Sequence, residues 1–349
     1  MNAETTQCSP APAKPKLMIF GFSNVASGAG FTTPLTEILS DTHPEVEVCR
    51  VGLGALQLHI VPAFLRSALE AEGPVTHVLL EIASSAFALH PLASDALTRE
   101  FLLDTVRAVQ EHDAQPLFML HYRDMRDRMA HDVVASARSF CQERNLACLD
   151  LADALLDEMG KEALHGLLKD EAHTTPDGSQ LFAERTHAFL APFLGEPEKV
   201  VGTFQPQWVR RCVHLREVLP THELEPLEHF GLHQEYLELS PETHIELRFK
   251  DRQRVLGCSF LYHSGGGHVG IRCDDDASAT SFAAIDPFSY VTRIGIHALK
   301  HYEGRDVERI EIGPTKPAED VVLLKDRSKT SLKTLLGSVL VMDPFPKPN

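Results

Sequence analysis

At 349 residues the chain is long for one domain and comfortable for two, and an apolar fraction of 43% can support a sizeable core. The formal net charge of −16, with no basic run longer than Arg210-Arg211, argues against a nucleic-acid or anionic-membrane surface, since both need concentrated positive charge. No apolar run approaches the roughly 18 residues that span a bilayer. Residues 1–15 are polar and proline-rich, without an apolar core or a small-residue cleavage pattern, and read as a disordered leader rather than a signal peptide. Seven cysteines are scattered without a CxxC pair, which suits reduced thiols and a cytoplasmic location better than a disulfide framework.

From Lys16 onward, strand and helix signals alternate. Leu17–Phe20 is a short apolar run closed by Gly21, the pattern of a buried central strand. A helix is expected from Pro34, a second strand over Val46–Val51, and a helix over Ile60–Glu72 stopped by Gly73-Pro74. Val75–Ile82 reads as the third strand, Asp95–His112 as an amphipathic helix, and Pro116–His121 as the fourth strand. Met129–Asn145 reads as a helix, Ala147–Leu151 as the fifth strand, and Thr175–Leu194 as a closing helix with Pro176 in its first turn. This order predicts an α/β/α domain with a parallel sheet over residues 16–197.

After about residue 200 the pattern becomes short alternating runs: Thr243–Phe249, Val255–His263, His268–Cys273, Val291–Ala298, Val307–Ile312 and Ser338–Met342. Gly265-Gly-Gly267 and Asp274-Asp-Asp276 read as turns between them, so residues 198–349 are expected to form an all-β sandwich of jelly-roll type. Thr203–Gly231 has no clear assignment and either crosses between the domains or adds an edge strand.

Ser23 follows the first strand by two residues, with Asn24 beside it. In a parallel sheet that position faces the ligand crevice. A serine is inert near neutral pH unless a base takes its proton, and that base is usually a histidine held by an acid. Asp170-Glu-Ala-His173 offers both within a turn, before the closing helix. Glu171 competes with Asp170 for the orienting role, and Thr174 or Thr175 can cap the helix in place of His173. No H-E-x-x-H or zinc-spaced cluster occurs among the 19 histidines, so neither metal nor cofactor is expected. His121-Tyr-Arg-Asp124 either lines the crevice or is solvated loop, and Trp208, Phe260, Tyr262, Phe288 and Tyr290 form either a sugar platform or core.

The blocks Gly21-Phe-Ser-Asn24, Val51-Gly-Leu-Gly54, Leu80-Glu-Ile-Ala-Ser-Ser-Ala86 and Asp170-Glu-Ala-His173 resemble those of the SGNH (GDSL-like) hydrolases, over roughly residues 16–194. The resemblance implies Ser23 as nucleophile, His173 as base and Asp170 as its partner. It implies an oxyanion hole from the N–H groups of Ser23 and of Gly54 or Gly52. This sequence departs from the family pattern in two places: Phe22 stands where an aspartate is usual, and Ala83 and Ser85 stand where a glycine and an asparagine are usual. Ser85 or Asn24 would then complete the hole. Gly257–Val269, Asp286–Tyr290 and Leu335–Val341 look like the jelly-roll accessory domain beside some SGNH carbohydrate esterases. Together these imply an esterase acting on an acyl group, acetyl above all, of a carbohydrate or related small molecule, with no nucleic-acid or membrane partner. A non-catalytic carbohydrate-binding protein that keeps the fold, and an intracellular sugar O-acyltransferase, remain the alternatives.

Overall fold

The computed structural model describes residues 14–84, 94–124, 132–195, 202, 204–240, 242–274, 276–286, 288–289, 291–300, 303–315, 323 and 333–346. The leader through residue 13, Ser85 and Tyr290 lie outside them. The first half is a five-stranded, wholly parallel sheet. Its strands are β1 (Lys16–Gly21), β2 (Glu47–Gly52), β3 (His77–Glu81), β4 (Gln115–Leu120) and β5 (Cys148–Asp150), in the order β2-β1-β3-β4-β5. The helices are α1 (Ser23–Ala26), α2 (Thr32–Thr42), α3 (Val61–Glu72), α4 (Asp95–Gln110), α5 (Val133–Arg144), α6 (Leu151–Gly166) and α7 (Pro176–Leu190).

Strands β1, β3 and β4 are almost continuously apolar because helices cover both faces, as buried parallel strands require. One core, with Phe64, Phe101 and Phe140, lies under α3, α4 and α5; the other, with Phe31, Leu35 and Phe182, lies under α2, α6 and α7. Strand order reverses on either side of β1, so the crevice at its carboxyl end is where such sheets bind ligands. Register sharpens this: Gly21 pairs with Gly52, Phe20 with Leu80 and Glu81 with Met119, so the strand ends fall on one line.

Sequence analysis assigns no element to 152–169, yet α6 runs there. Asp150 caps it by accepting from the Asp153 N–H at 3.2 Å, and Leu151, Leu155 and Leu164 face the core. Gly160, at φ 77°, breaks the helical dihedrals midway and obscures the period.

The second half is wholly antiparallel. It comprises β6 (Trp208–His214), a single helical turn α8 (Leu215–Val218), β7 (Glu225–His229), β8 (Leu232–Leu239), β9 (Ile245–Tyr262), β10 (His268–Cys273), β11 (Thr280–Ala283), β12 (Arg293–Ala298), β13 (Arg305–Pro314) and β14 (Thr334–Pro344). The order is β11-β10-β13-β9-β14-β8-β7, with β12 on β9 and β6 on β14. The runs expected at 243–249 and 255–263 are one strand of 18 residues, β9. The charged stretch between them, Lys250–Arg254, reads as a break. It stays extended because Arg254 pairs with Asp306 across the ladder at 2.9 Å. The segment without an assignment supplies β6, which packs on α3 and α4, and β7.

That contact is a continuous core. Phe204, Cys212, Leu232, Tyr236, Leu256 and Met342 pack in the same cluster as Phe64, Leu65 and Phe101. Each fully buried large side chain contributes on the order of 1.5–3 kcal/mol. Within this core lies a charged triad. Asp104 on α4, fully buried, meets Arg66 of α3 at 2.8 Å and Arg210 of β6 at 3.1 Å. Arg66 also donates to the Arg210 carbonyl at 2.7 Å and to Glu111 at 2.8 Å, and Arg210 stacks over Phe101.

Candidate active site at the carboxyl edge of the sheet

Four segments meet at the line of strand ends. The first is the turn from β1 into α1. Phe22 precedes the helix with φ −105° and ψ −142°, and Ser23 is its first residue. The opening N–H groups of a helix have no intrahelical partner. Among the described residues neither the Ser23 N–H nor its Oγ has a hydrogen-bond partner, so Oγ is not hydrogen-bonded to His173. Asn24 is buried, and its amide donates to the Ala172 carbonyl at 2.9 Å. That bond ties the residue after Ser23 to the residue before His173.

The second segment is the Leu167–Thr175 loop between α6 and α7. A short ladder shapes it: Lys169 N–H donates to the His173 carbonyl at 2.9 Å and Thr175 N–H to the Leu167 carbonyl at 2.8 Å. Asp170 closes the turn by accepting the N–H groups of Ala172 at 3.0 Å and His173 at 2.8 Å. The same carboxylate lies 2.9 Å from His173 Nδ1. With the proton on Nδ1, Nε2 is left as an acceptor, the state a general base needs. Glu171 turns away to Arg123, 3.5 Å distant, so Asp170 is the residue that holds the imidazole. Thr175, not His173, caps α7, its hydroxyl accepting from Gly178 N–H at 3.1 Å.

Burial alone would raise the Asp170 pKa. The two N–H groups and the His173 ring outweigh it and hold the carboxyl below the ordinary carboxylate range. A lowered folded pKa means that this stabilisation is present above the unfolded value and is lost as pH falls through the folded one. The melting temperature of wild type is therefore expected to exceed that of Asp170→Asn at neutral pH, with the gap closing below about pH 4. A gap that stays constant down to pH 2.5 would contradict this.

The third segment is the exit of β2. Gly52 has no room for a side chain, since a Cβ there would meet Ala26 N at 2.3 Å, and this lets α1 sit on the strand end. Its N–H is taken by the Phe230 carbonyl at 3.0 Å, so of the two glycines offered for an oxyanion hole Gly52 is engaged. Gly54 has no such partner among the described residues, and the space beside its Cα is open. Phe230 belongs to the β7–β8 turn, which the second half presses onto β2. Gly231, at φ 83°, makes that approach possible: a Cβ there would lie 1.9 Å from the Arg50 carbonyl oxygen. Gly231→Ala is expected to lift the turn, cost about 1–3 kcal/mol and speed hydrogen exchange at the Gly52 amide. Unchanged exchange there would mean that the turn tolerates the side chain.

The fourth segment joins the ends of β3 and β4. Glu81, 1% exposed, accepts from Phe22 N–H and from Ala83 and Ser84. Arg123 donates to the Ser84 carbonyl as well as facing Glu171. Contrary to a solvated-loop reading, His121 and Arg123 are buried; His121 packs on Phe31 and Phe182. Burial keeps the His121 ring neutral by lowering its pKa. Sequence analysis passes over Glu81. The available signal is a lone carboxylate closing an otherwise apolar strand. Among the described residues no group of three or more His, Cys, Asp or Glu side chains could hold a metal ion.

No protein-family model matches the sequence, and no curated protein sequence matches it. Solved structures do match. A two-domain esterase active on acetylated mannans, co-crystallised with mannopentaose, superposes with a TM-score of 0.63 over 96% of this chain and 92% of its own, at 13% identity. A second structure of that esterase gives the same values. The chain has the fold of that two-domain esterase. A lipase/acylhydrolase from Enterococcus faecalis matches 53% of this chain and 99% of its own at 17% identity, with a TM-score of 0.45.

Within the two-domain esterase fold, the expected aromatic residues divide. Phe260 is core, Trp208 stacks on Arg254 and Tyr262 on Arg293, while Phe288 is exposed. Phe230 and Val291 are also exposed. The His229 ring faces the Thr292 backbone.

Proposed function

We propose that this chain is a serine esterase that removes an acyl group, acetyl above all, from a carbohydrate. The observation that carries the reading is the Asp170–His173 pair at 2.9 Å, on a loop tethered through Ala172 to the residue beside Ser23. The roles in this reading follow from the residue types. His173 Nε2 takes the hydroxyl proton as Ser23 Oγ bonds to the ester carbonyl carbon, whose π electrons move to oxygen. The N–H groups of Ser23 and Gly54 are the donors for that oxyanion, with Asn24 or Ser85 as a further candidate. The intermediate collapses, the C–O bond to the sugar breaks, and His173 returns the proton to the departing alcohol. Water, deprotonated by His173, then releases the acid and regenerates Ser23.

The carbohydrate part rests on two supports. Exposed Phe230, on the turn whose carbonyl takes the Gly52 N–H, offers an aromatic ring beside the end of β2 on which a sugar ring can stack. The similar two-domain esterase acts on acetylated mannans. The test is diisopropyl fluorophosphate followed by peptide mass spectrometry, together with acetate release from acetylated manno-oligosaccharides. An adduct on Ser23 and acetate release are expected. An unlabelled Ser23 would overturn the esterase reading, and a labelled enzyme that releases no acetate would overturn the substrate.

A further inference from the structure

We propose that Glu81 is a positioning residue for the oxyanion side of this site, through one buried carboxylate that holds the nucleophile turn and the β3 exit turn to each other. The inference rests on the esterase reading. An isolated buried carboxylate costs several kcal/mol unless its oxygens are matched by donors. Glu81 is matched on both. Oε1 accepts from Ala83 N–H at 3.1 Å and Ser84 N–H at 2.8 Å, and Oε2 accepts from Ser84 Oγ at 2.8 Å and Phe22 N–H at 3.2 Å. These donors use about the full acceptor capacity of an ionised carboxyl group.

The donors come from different parts of the chain. Phe22 directly precedes Ser23, so fixing its N–H fixes the entry angle of α1 and the direction of the Ser23 N–H. Ala83 and Ser84 form the turn that leaves β3. Arg123 continues the chain of contacts, donating to the Ser84 carbonyl and facing Glu171, the neighbour of Asp170. Glu81 is thus the link between the segment bearing the nucleophile and the segment that reaches the base. It also supplies a carboxylate near the position where Phe22 replaces the usual aspartate. An oxyanion hole works only if its donors are held to within about 0.5 Å before the charge develops.

Only an acceptor can do this. Glutamine has almost the same shape but carries an NH2 group, which would meet N–H donors from at least one of the two turns and drive them apart. On p-nitrophenyl acetate, Glu81→Gln is therefore expected to lower kcat by about 10²- to 10³-fold with KM within about twofold, the signature of an interaction made only in the transition state. The rate of diisopropyl fluorophosphate labelling at Ser23 should fall in parallel, because the phosphoryl oxygen occupies the same hole. A residue that merely satisfies the fold would lower the melting temperature and leave the folded enzyme's kcat alone. Should Glu81→Gln not fold, Ser84→Ala decides: it removes one donor and keeps the charge, and a several-fold loss in kcat is expected. Wild-type kcat and labelling rate in folded Glu81→Gln, or wild-type kcat in Ser84→Ala, would overturn the Glu81 proposal alone. A wild-type enzyme that does not label at Ser23 would overturn the esterase reading and this proposal with it.

Discussion

Ser23→Ala and His173→Ala are each expected to lower kcat on p-nitrophenyl acetate by roughly 10³- to 10⁶-fold, with the double variant no worse than either single one. The non-additivity is the informative part. Without Oγ the histidine has no proton to accept, and without Nε2 the hydroxyl stays protonated, so each change removes the same step. Residual turnover then comes from binding and from the N–H donors alone. Both side chains are in a favourable place for a clean test. His173 is part-exposed on a loop whose shape is set by backbone ladders and by Asp170, and Ser23 has no side-chain bond to lose. Stability should change by no more than about 1 kcal/mol. If either variant keeps more than a tenth of wild-type kcat, the Ser23–His173 assignment fails.

The second large effect lies away from the site. Asp104→Ala is expected to destabilise the protein by about 3–5 kcal/mol, because it leaves the Arg66 and Arg210 guanidiniums facing each other in a buried interface. Their carbonyl contacts and Glu111 do not replace the lost charge: Arg210 is 2% exposed and Arg66 5%, so neither can be rehydrated without opening the interface. Breaking the triad differs from its net worth. Exchanging all three for volume-matched apolar residues, Arg66→Met with Asp104→Leu and Arg210→Met, should cost far less than Asp104→Ala alone. Urea unfolding of the two variants measures this. A loss below about 1 kcal/mol in Asp104→Ala would show that the guanidiniums find other partners.

How much of this was legible before folding depends on the physics behind each feature. The parallel sheet was legible because buried strands must be apolar and turns must be Gly-, Pro- or Asn-rich; Leu17–Phe20, closed by Gly21, carries those marks in a few adjacent residues. Helix α6 was not, because Gly160 interrupts its period. Strand β9 was divided in two because its middle is charged. Its extended form comes from cross-strand partners such as Asp306, which local pattern cannot supply.

The same division runs through the candidate site. The sequence by itself determined the residue types and their order: a serine after a strand, and an aspartate three residues before a histidine, close enough to meet in one turn. Those are local matters of spacing. Tertiary structure decided that Asp170 and not Glu171 holds the imidazole, since Arg123, from the loop after β4, draws Glu171 away. It decided that Gly52 is engaged by the Phe230 carbonyl and Gly54 is not. It also gave Glu81 its donors, of which Phe22 lies 59 positions away in the chain. Hydrogen bonds and buried charges are short-ranged and selective, so their partners are settled only when the strand ends are brought onto one line.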